Sequence, residues 1–417
     1  MYYTANYNRN NKNILVWYVL FSLFFGASPF LSIILVYIYV CLNIKNNEEN
    51  EKWLPVFFCI FCSVYVSAVN ITKVPNSDLI GYIESYSFSS EVPLLAYMWI
   101  GANAATDLSQ NVPMKEPVYG FFVWILNRIL DGNINGFKFI MSLVNYLLLN
   151  GALVFFARKL RLPTWLTISG IMIMSFIPYI FTVSLQLVRQ FLSASIIVYV
   201  LVRKGYYGKK CYALIASAAM IHSSAWLFVP ILVLKAYGEP VRKNSFYYLI
   251  LFLILFVVRG LSVFGSGGGV GMSEGLDGYA IGRASGNFSN DEATMSTIYI
   301  IMNGVLLLFA FYISFWSKYQ NDSGLRRICV YSIFTISFAI ININNPFLAG
   351  RYLGYMYNII PFFIVVFFLL FKVSRFLVML FTIGCVFAFV FYLCFGVWAY
   401  KISYDVLIAP LPLYFLS

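Results

Sequence analysis

The 417-residue chain is 61% hydrophobic and only 11% charged, against roughly 25% charged residues in an ordinary soluble protein. Apolar runs of roughly 16–22 residues follow one another, which excludes a soluble globular domain, and they are too long and unbroken for a transmembrane barrel. The net charge of +12 does not point to nucleic acid, because most Lys and Arg stand in short loops on one side of the apolar runs, as the positive-inside rule requires.

The reading is an all-α polytopic transmembrane helix bundle of about 12 spans, some broken or re-entrant. It forms a single membrane domain over residues 1–417, with two larger outer loops at 70–116 and 260–295. Arg9 and Lys12 precede an apolar run from Ile14 to Phe25, which reads as a retained membrane anchor rather than a cleaved signal. The run continues past Gly26–Pro29 to Leu42, and fits either one kinked span or a tight hairpin. Leu54 to Val69 is the next span.

The stretch Asn70 to Glu116 is polar and holds Asp78, Glu84, Glu91, Asp107 and Glu116 with only two lysines, so it is expected outside. Pro117 to Leu130 is amphipathic and too short to span, which suggests an interfacial or half-inserted helix. Spans are expected at Phe137–Phe156, Thr164–Phe181 and Leu185–Val202, the last ending in the basic turn Arg203–Lys210. Gln186, Arg189 and Ser193 fall at spacings of three and four, which on one helix gives a shared polar stripe.

Cys211 to Leu234 lies between two basic turns, so both its ends are expected on the inner side. The residues up to His222 reach only about half a bilayer as helix, and His222-Ser223-Ser224 is expected at the tip of a helical hairpin facing a cavity. Phe246–Val258 leads outward to Arg259. The outer loop that follows is rich in Gly and Ser, carries Arg283, and has no phosphate-loop or dinucleotide spacing, so it reads as a lid. Ser296–Trp316 and Cys329–Ile343 are expected spans. An outer loop with Gly350-Arg351-Tyr352 follows, then spans at Tyr355–Phe371 and Phe376–Trp398.

The outer side thus carries Arg128, Arg189, Arg259, Arg283 and Arg351 beside carboxylates, tyrosines and His222, the sole histidine of the chain. Arginine grips phosphate with a planar fork, and a carboxylate or histidine can take a proton from an attacking hydroxyl. Such a set suits a lipid-linked diphosphate and a sugar. The seven cysteines are scattered and form no zinc pattern, so neither metal nor cofactor is expected.

Each residue also has a plain structural reading. Arg189 could snorkel or pair with another helix, and Arg351, Arg259 and Arg283 could be ordinary span-end or loop charges. His222 could be satisfied by its own serines. Asp78 and Glu116 could each mark a helix start. Tyr82 and Tyr352 could be belt aromatics.

Five pieces stand in order: Asp78-x-x-x-Tyr82, Glu116-Pro117, Arg189-Gln190 heading a span, Ile221-His222-Ser223-Ser224-Ala225 after a basic turn, and Gly350-Arg351-Tyr352. In them the chain resembles the EpsG-like branch of the Wzy-type O-antigen and exopolysaccharide polymerases. That resemblance implies a multi-pass protein of the bacterial inner (cytoplasmic) membrane. It would join repeat units carried on undecaprenyl diphosphate at the periplasmic face, with membrane lipid and a chain-length regulator protein as partners. The chemistry of the outer residues then suggests a division of labour. Arg189, Arg351, Gln186, Gln190, Tyr82, Tyr352, Arg259 and Arg283 would hold diphosphate and sugar. His222, Asp78 or Glu116 would serve the acceptor hydroxyl. Rival readings are a flippase for the same lipid-linked sugars and a ligase-type transferase. Arg189 and His222 are expected in one outward-facing site.

Overall fold

The computed structural model describes residues 21–43, 53–76, 78–100, 116–240, 244–251, 253–254, 297–342, 346–396, 400–401, 405 and 408–416. Arg259, Arg283 and the rest of the loop at 260–295 lie outside them, as do residues 101–115. The described residues form helices and turns with no strand. The one bridge among them is isolated and pairs Lys73 with Tyr400. The all-helical expectation therefore holds.

By length and composition, Leu54–Ile71, Ile134–Leu160, Ser323–Ile341 and Arg375–Phe395 suffice to cross a membrane. Two bent helix pairs raise the number of described candidates from four to as many as six.

The chain divides into two compact units: residues 1–199 with 360–417, and residues 200–359. In the first, α1 (Pro29–Asn43), α2 (Leu54–Ile71), α3 (Asp78–Phe88), α4 (Leu94–Ile100), α5 (Pro117–Leu130), α6 (Ile134–Leu160), α7 (Thr164–Phe176) and α8 (Pro178–Gln186) lead into α9 (Val188–Tyr207). Pro178 cannot donate a backbone hydrogen bond, so the expected span at 164–181 is broken there, with a bend of 51° between α7 and α8.

Asparagines knit this unit together. Asn150 on α6 donates to Ser63 of α2 and Ser175 of α7, both at 3.1 Å. Asn70 on α2 donates to Ser142 at 2.8 Å and Ser184 at 2.9 Å. Such bonds hold apolar helices together where burial of apolar surface gives little preference between lipid and protein. Gly170 lets α7 approach closely: a Cβ there would stand 2.7 Å from Leu153 and 2.8 Å from Val365. Where the chain re-enters this unit, α15 (Ile360–Leu370) packs on α7 beside α16 (Arg375–Phe395). The outward phenylalanines of α16, Phe387, Phe391 and Phe395, recur every four residues and form an apolar face suited to lipid.

The second unit contains α10 (Tyr212–Ile221), a 3₁₀ turn at Ser223–Phe228, α11 (Val229–Val233), α12 (Thr297–Phe315), α13 (Ser323–Ile341) and α14 (Pro346–Tyr357). Arg326 and Arg327, expected near an inner loop, are buried within α13. Arg327 donates to the carbonyls of Ile231 and Leu234 at the end of α11, where a cation satisfies carbonyls that have no partner in the helix. Gly324 faces the ring of Tyr206, and a Cβ there would stand 2.6 Å from it.

Candidate functional site

The sequence-predicted residues fall into two clusters, one in each unit. In the first unit, Pro117 opens α5, and Tyr119, Val123 and Asn127 recur on its buried face every four residues. The short helices α3 and α4 are fastened to it. Asn127 donates to the Tyr86 carbonyl at 2.7 Å, Trp124 to the Val92 carbonyl at 3.0 Å, and the Tyr97 hydroxyl meets Ser85 at 2.7 Å.

These anchors fix the stretch that meets Arg189, at the start of α9. Its Nη1 donates to Glu116 Oε2 at 2.5 Å. Its guanidinium carbon also lies 5.5 Å from the ring centre of Tyr82 and 5.8 Å from that of Tyr119. The two tyrosine rings meet edge to face at 6.1 Å. Arg189 is thus held by one carboxylate and two aromatic rings, in the distance range where a cation gains from a ring quadrupole.

Glu116 does begin a helix, but its side chain makes no capping hydrogen bond there. Its carboxylate is 8% exposed and is engaged by Arg189, whose side chain keeps 32% of its surface open. Asp78 is exposed at the first position of α3, one turn before Tyr82 and on the same helical face.

One expectation is corrected. Gln186, Arg189 and Ser193 do not lie on one helix. Gln186 ends α8, and Leu187, with φ −118° and ψ 55°, breaks the chain before α9 begins. The polar spacing was helical, but a second helix start intervenes. Gln186, Gln190 and Ser193 are buried.

In the second unit His222 sits where the sequence places it, at a helix break. α10 stops at Ile221, His222 is extended with φ −149° and ψ 122°, and the 3₁₀ turn begins at Ser223. Its Nδ1 lies 2.5 Å from Ser224 Oγ and accepts the Ser224 backbone N–H at 3.3 Å. Ser224 Oγ in turn meets the Tyr355 hydroxyl at 2.8 Å, and the Tyr355 carbonyl accepts from the buried Tyr331 hydroxyl at 3.2 Å. Phe228 packs beneath, with ring centres 4.9 Å from both Tyr331 and Tyr355.

Arg351 and Tyr352, expected in a loop, lie inside α14 instead. Pro346 starts that helix, and Gly350 is tolerated within it. Arg351 is exposed, while Tyr352 packs on Phe338 at 4.2 Å. The sequence reading offered the serines after His222 as its partners, and Ser224 is one; it missed Tyr355. The serine pair after His222 was the one signal available, since Tyr355 stands 131 residues from Ser224.

Among the described residues no three His, Cys, Asp or Glu side chains gather as a metal site would require. A cavity of about 480 Å³ in the second unit, lined by Tyr248, Phe311, Arg326 and Phe334 among others, contains none of the predicted site residues.

The apolar helices long enough to cross a bilayer, and the arginine–carboxylate pair walled by two tyrosines, mark a helical membrane protein with a charged, aromatic-walled cluster. The profile of the EpsG family matches residues 55–405, and the chain belongs to that family. Neither a curated protein nor a solved structure matches it.

Proposed function

We propose that this chain is a membrane glycosyltransferase that polymerises oligosaccharide repeat units carried on undecaprenyl diphosphate. Family membership supports a polysaccharide polymerase. The observation that carries the chemistry is the pairing of Arg189 with Glu116 between two tyrosines.

In the reaction, the bond from the growing chain's anomeric carbon to its diphosphate breaks, and the electron pair leaves on the phosphate oxygen. A hydroxyl of the incoming unit forms the new glycosidic bond and loses its proton. A planar, permanently charged guanidinium suits the leaving diphosphate. Arg189 and Arg351 take that role, and Gln190 and Gln186 support the first of them. Glu116 holds Arg189 in place. Tyr82 and Tyr352 offer faces on which sugar rings stack. Asp78, exposed beside Tyr82, and His222 are the groups available for proton movement. Arg259 and Arg283 belong to the same proposed phosphate-binding set. The reading includes about 12 spans in the bacterial inner membrane, outer loops in the periplasm, and a chain-length regulator as partner.

The test is a deletion strain complemented with wild type or Arg189→Ala at equal protein level. Wild type should restore a glycan ladder, whereas the variant should leave single-unit bands. Purified wild-type protein that lengthens glycan on its lipid carrier in detergent separates polymerisation from flipping. Transfer to another repeat unit, rather than to lipid A core, separates it from ligation. Ladders of normal length and yield from the variant would overturn the reading.

A further inference from the structure

The neighbourhood of His222 fixes which ring nitrogen carries the proton. A backbone N–H can only donate, and that of Ser224 points at Nδ1 from 3.3 Å. Nδ1 therefore presents its lone pair. Ser224 Oγ, 2.5 Å from the same atom, then donates its own hydrogen to Nδ1. Having given up that hydrogen, Ser224 Oγ accepts from the Tyr355 hydroxyl at 2.8 Å. The three groups form a one-way relay, Tyr355 to Ser224 to His222. In the neutral ring the remaining proton must sit on Nε2.

The relay is anchored at both ends. Ser224 belongs to the 3₁₀ turn that His222 itself caps. Tyr355 is fully buried, packed against Phe228 with the rings tilted, and its carbonyl is held by Tyr331. Turning the imidazole over would break two hydrogen bonds at once.

We infer that Ser224 and Tyr355 are positioning residues that lock His222 as an Nε2–H donor, so that it acts on an anionic phosphate oxygen rather than as the base for the attacking hydroxyl. The inference rests on the polymerase reading and narrows it. As the bond from the anomeric carbon to the diphosphate breaks, negative charge collects on the departing phosphate oxygen, where an Nε2–H bond strengthens. The proton of the incoming hydroxyl then passes to a carboxylate.

The chain has one histidine, so ¹⁵N-histidine labelling of the full-length protein in detergent yields a single ring to observe. Wild type should give an unprotonated, pyridine-type Nδ1 and a protonated, pyrrole-type Nε2. Ser224→Ala should shift both ring resonances and lower kcat roughly 10–100-fold with little change in KM, the size that hydrogen-bond partners of metal-bound histidines carry. Ser224→Thr, which keeps the hydroxyl, should restore both readouts. Tyr355→Phe, which keeps the ring packing, should move them in the same direction by less. A protonated Nδ1 in wild type overturns the inference. So does a Ser224→Ala protein with unchanged resonances and kcat. A wild-type protein with the expected ring that never lengthens lipid-linked glycan would instead overturn the polymerase reading and leave the relay standing.

Discussion

Arg189 and His222 are each the distinctive ionisable group of their unit, yet they are held in opposite ways. Arg189 is held by charge. Its partner Glu116 stands 73 residues away in sequence, and the walls come from Tyr82 and Tyr119 on two further helices. His222 is held by neutral hydroxyls, the nearest only two residues on. A permanently charged guanidinium taken partly out of water needs a counter-ion or a ring face. An imidazole can be satisfied by a serine and a tyrosine. The contrast suggests a division of work: the first cluster suits gripping charge, and the second suits giving one hydrogen bond in a fixed direction.

The sharpest way to break that contrast is at Arg189. Arg189→Ala should lower polymer formation roughly 100-fold or more, the scale of losing one preorganised charge at a reacting phosphate. The same change leaves Glu116 buried without its counter-ion and should lower the melting temperature as well. Arg189→Lys separates the two effects. It keeps the charge and should melt near wild type, yet polymer formation should remain at least about tenfold down, because an ammonium cannot reproduce the planar fork. A lysine variant with full activity would mean that charge alone suffices.

Glu116→Gln is the next test. As a holder of Arg189, Glu116 loses its charge there but keeps a hydrogen-bond acceptor, so polymer yield should fall by about tenfold. Complete loss, with Arg189 still folded in place, would instead mark the carboxylate as the proton acceptor. Glycan ladders at matched protein level distinguish the two outcomes.

The two clusters also differ in how much of them the sequence announced. Arg189, Glu116, Asp78, Tyr82 and His222 were visible because polar groups beside apolar runs stand out. α5 was readable to the residue because Pro117 begins it and its apolar face has helical period. The pairing of Glu116 with Arg189 was not visible, since no local pattern links two segments so far apart. The shared stripe from Gln186 to Ser193 looked continuous because its spacing is helical. What the spacing hid was the break at Leu187, which follows from how α8 and α9 end and begin. Arg351 read as a loop residue because asparagines and a proline precede it, but that proline starts α14. The buried Arg326 and Arg327 show the same limit. Their charge resembled a loop, and backbone carbonyls account for their burial: that of Gly238 for Arg326, and those of Ile231 and Leu234 at the end of α11 for Arg327.

Packing gives a third, smaller way to compare the units. A methyl at Gly324 would meet the ring of Tyr206 at 2.6 Å, whereas one at Gly170 would meet the side-chain ends of Leu153, which is flexible, and of Val365. Gly324→Ala should therefore destabilise the second unit by about 1–3 kcal/mol, and Gly170→Ala should cost less, because the end of Leu153 can shift. Thermal melts in detergent rank the two, and equal losses would show that the Tyr206 ring can move aside.

The smallest expected effect concerns a lysine that neither cluster contains. Lys73, just beyond the end of α2, is fully buried, and its amine donates to the Thr182 carbonyl at 3.2 Å. Burial, and then the positive charge of Lys138, lower its pKa to about 8. A lysine pKa lowered by folding means that the unfolded chain holds the proton more tightly. The penalty is full below pH 8, where both states are protonated. Stability then rises as pH climbs from about 8 towards the ordinary lysine value of about 10.5. Between pH 7 and 8.5 that one group should add on the order of 1 kcal/mol. Lys73→Met removes the group that titrates, so the variant should melt higher than wild type at pH 7, and the gap should narrow by pH 8.5. A gap that stays constant or widens would mean that Lys73 keeps an ordinary pKa, with its charge satisfied where it lies.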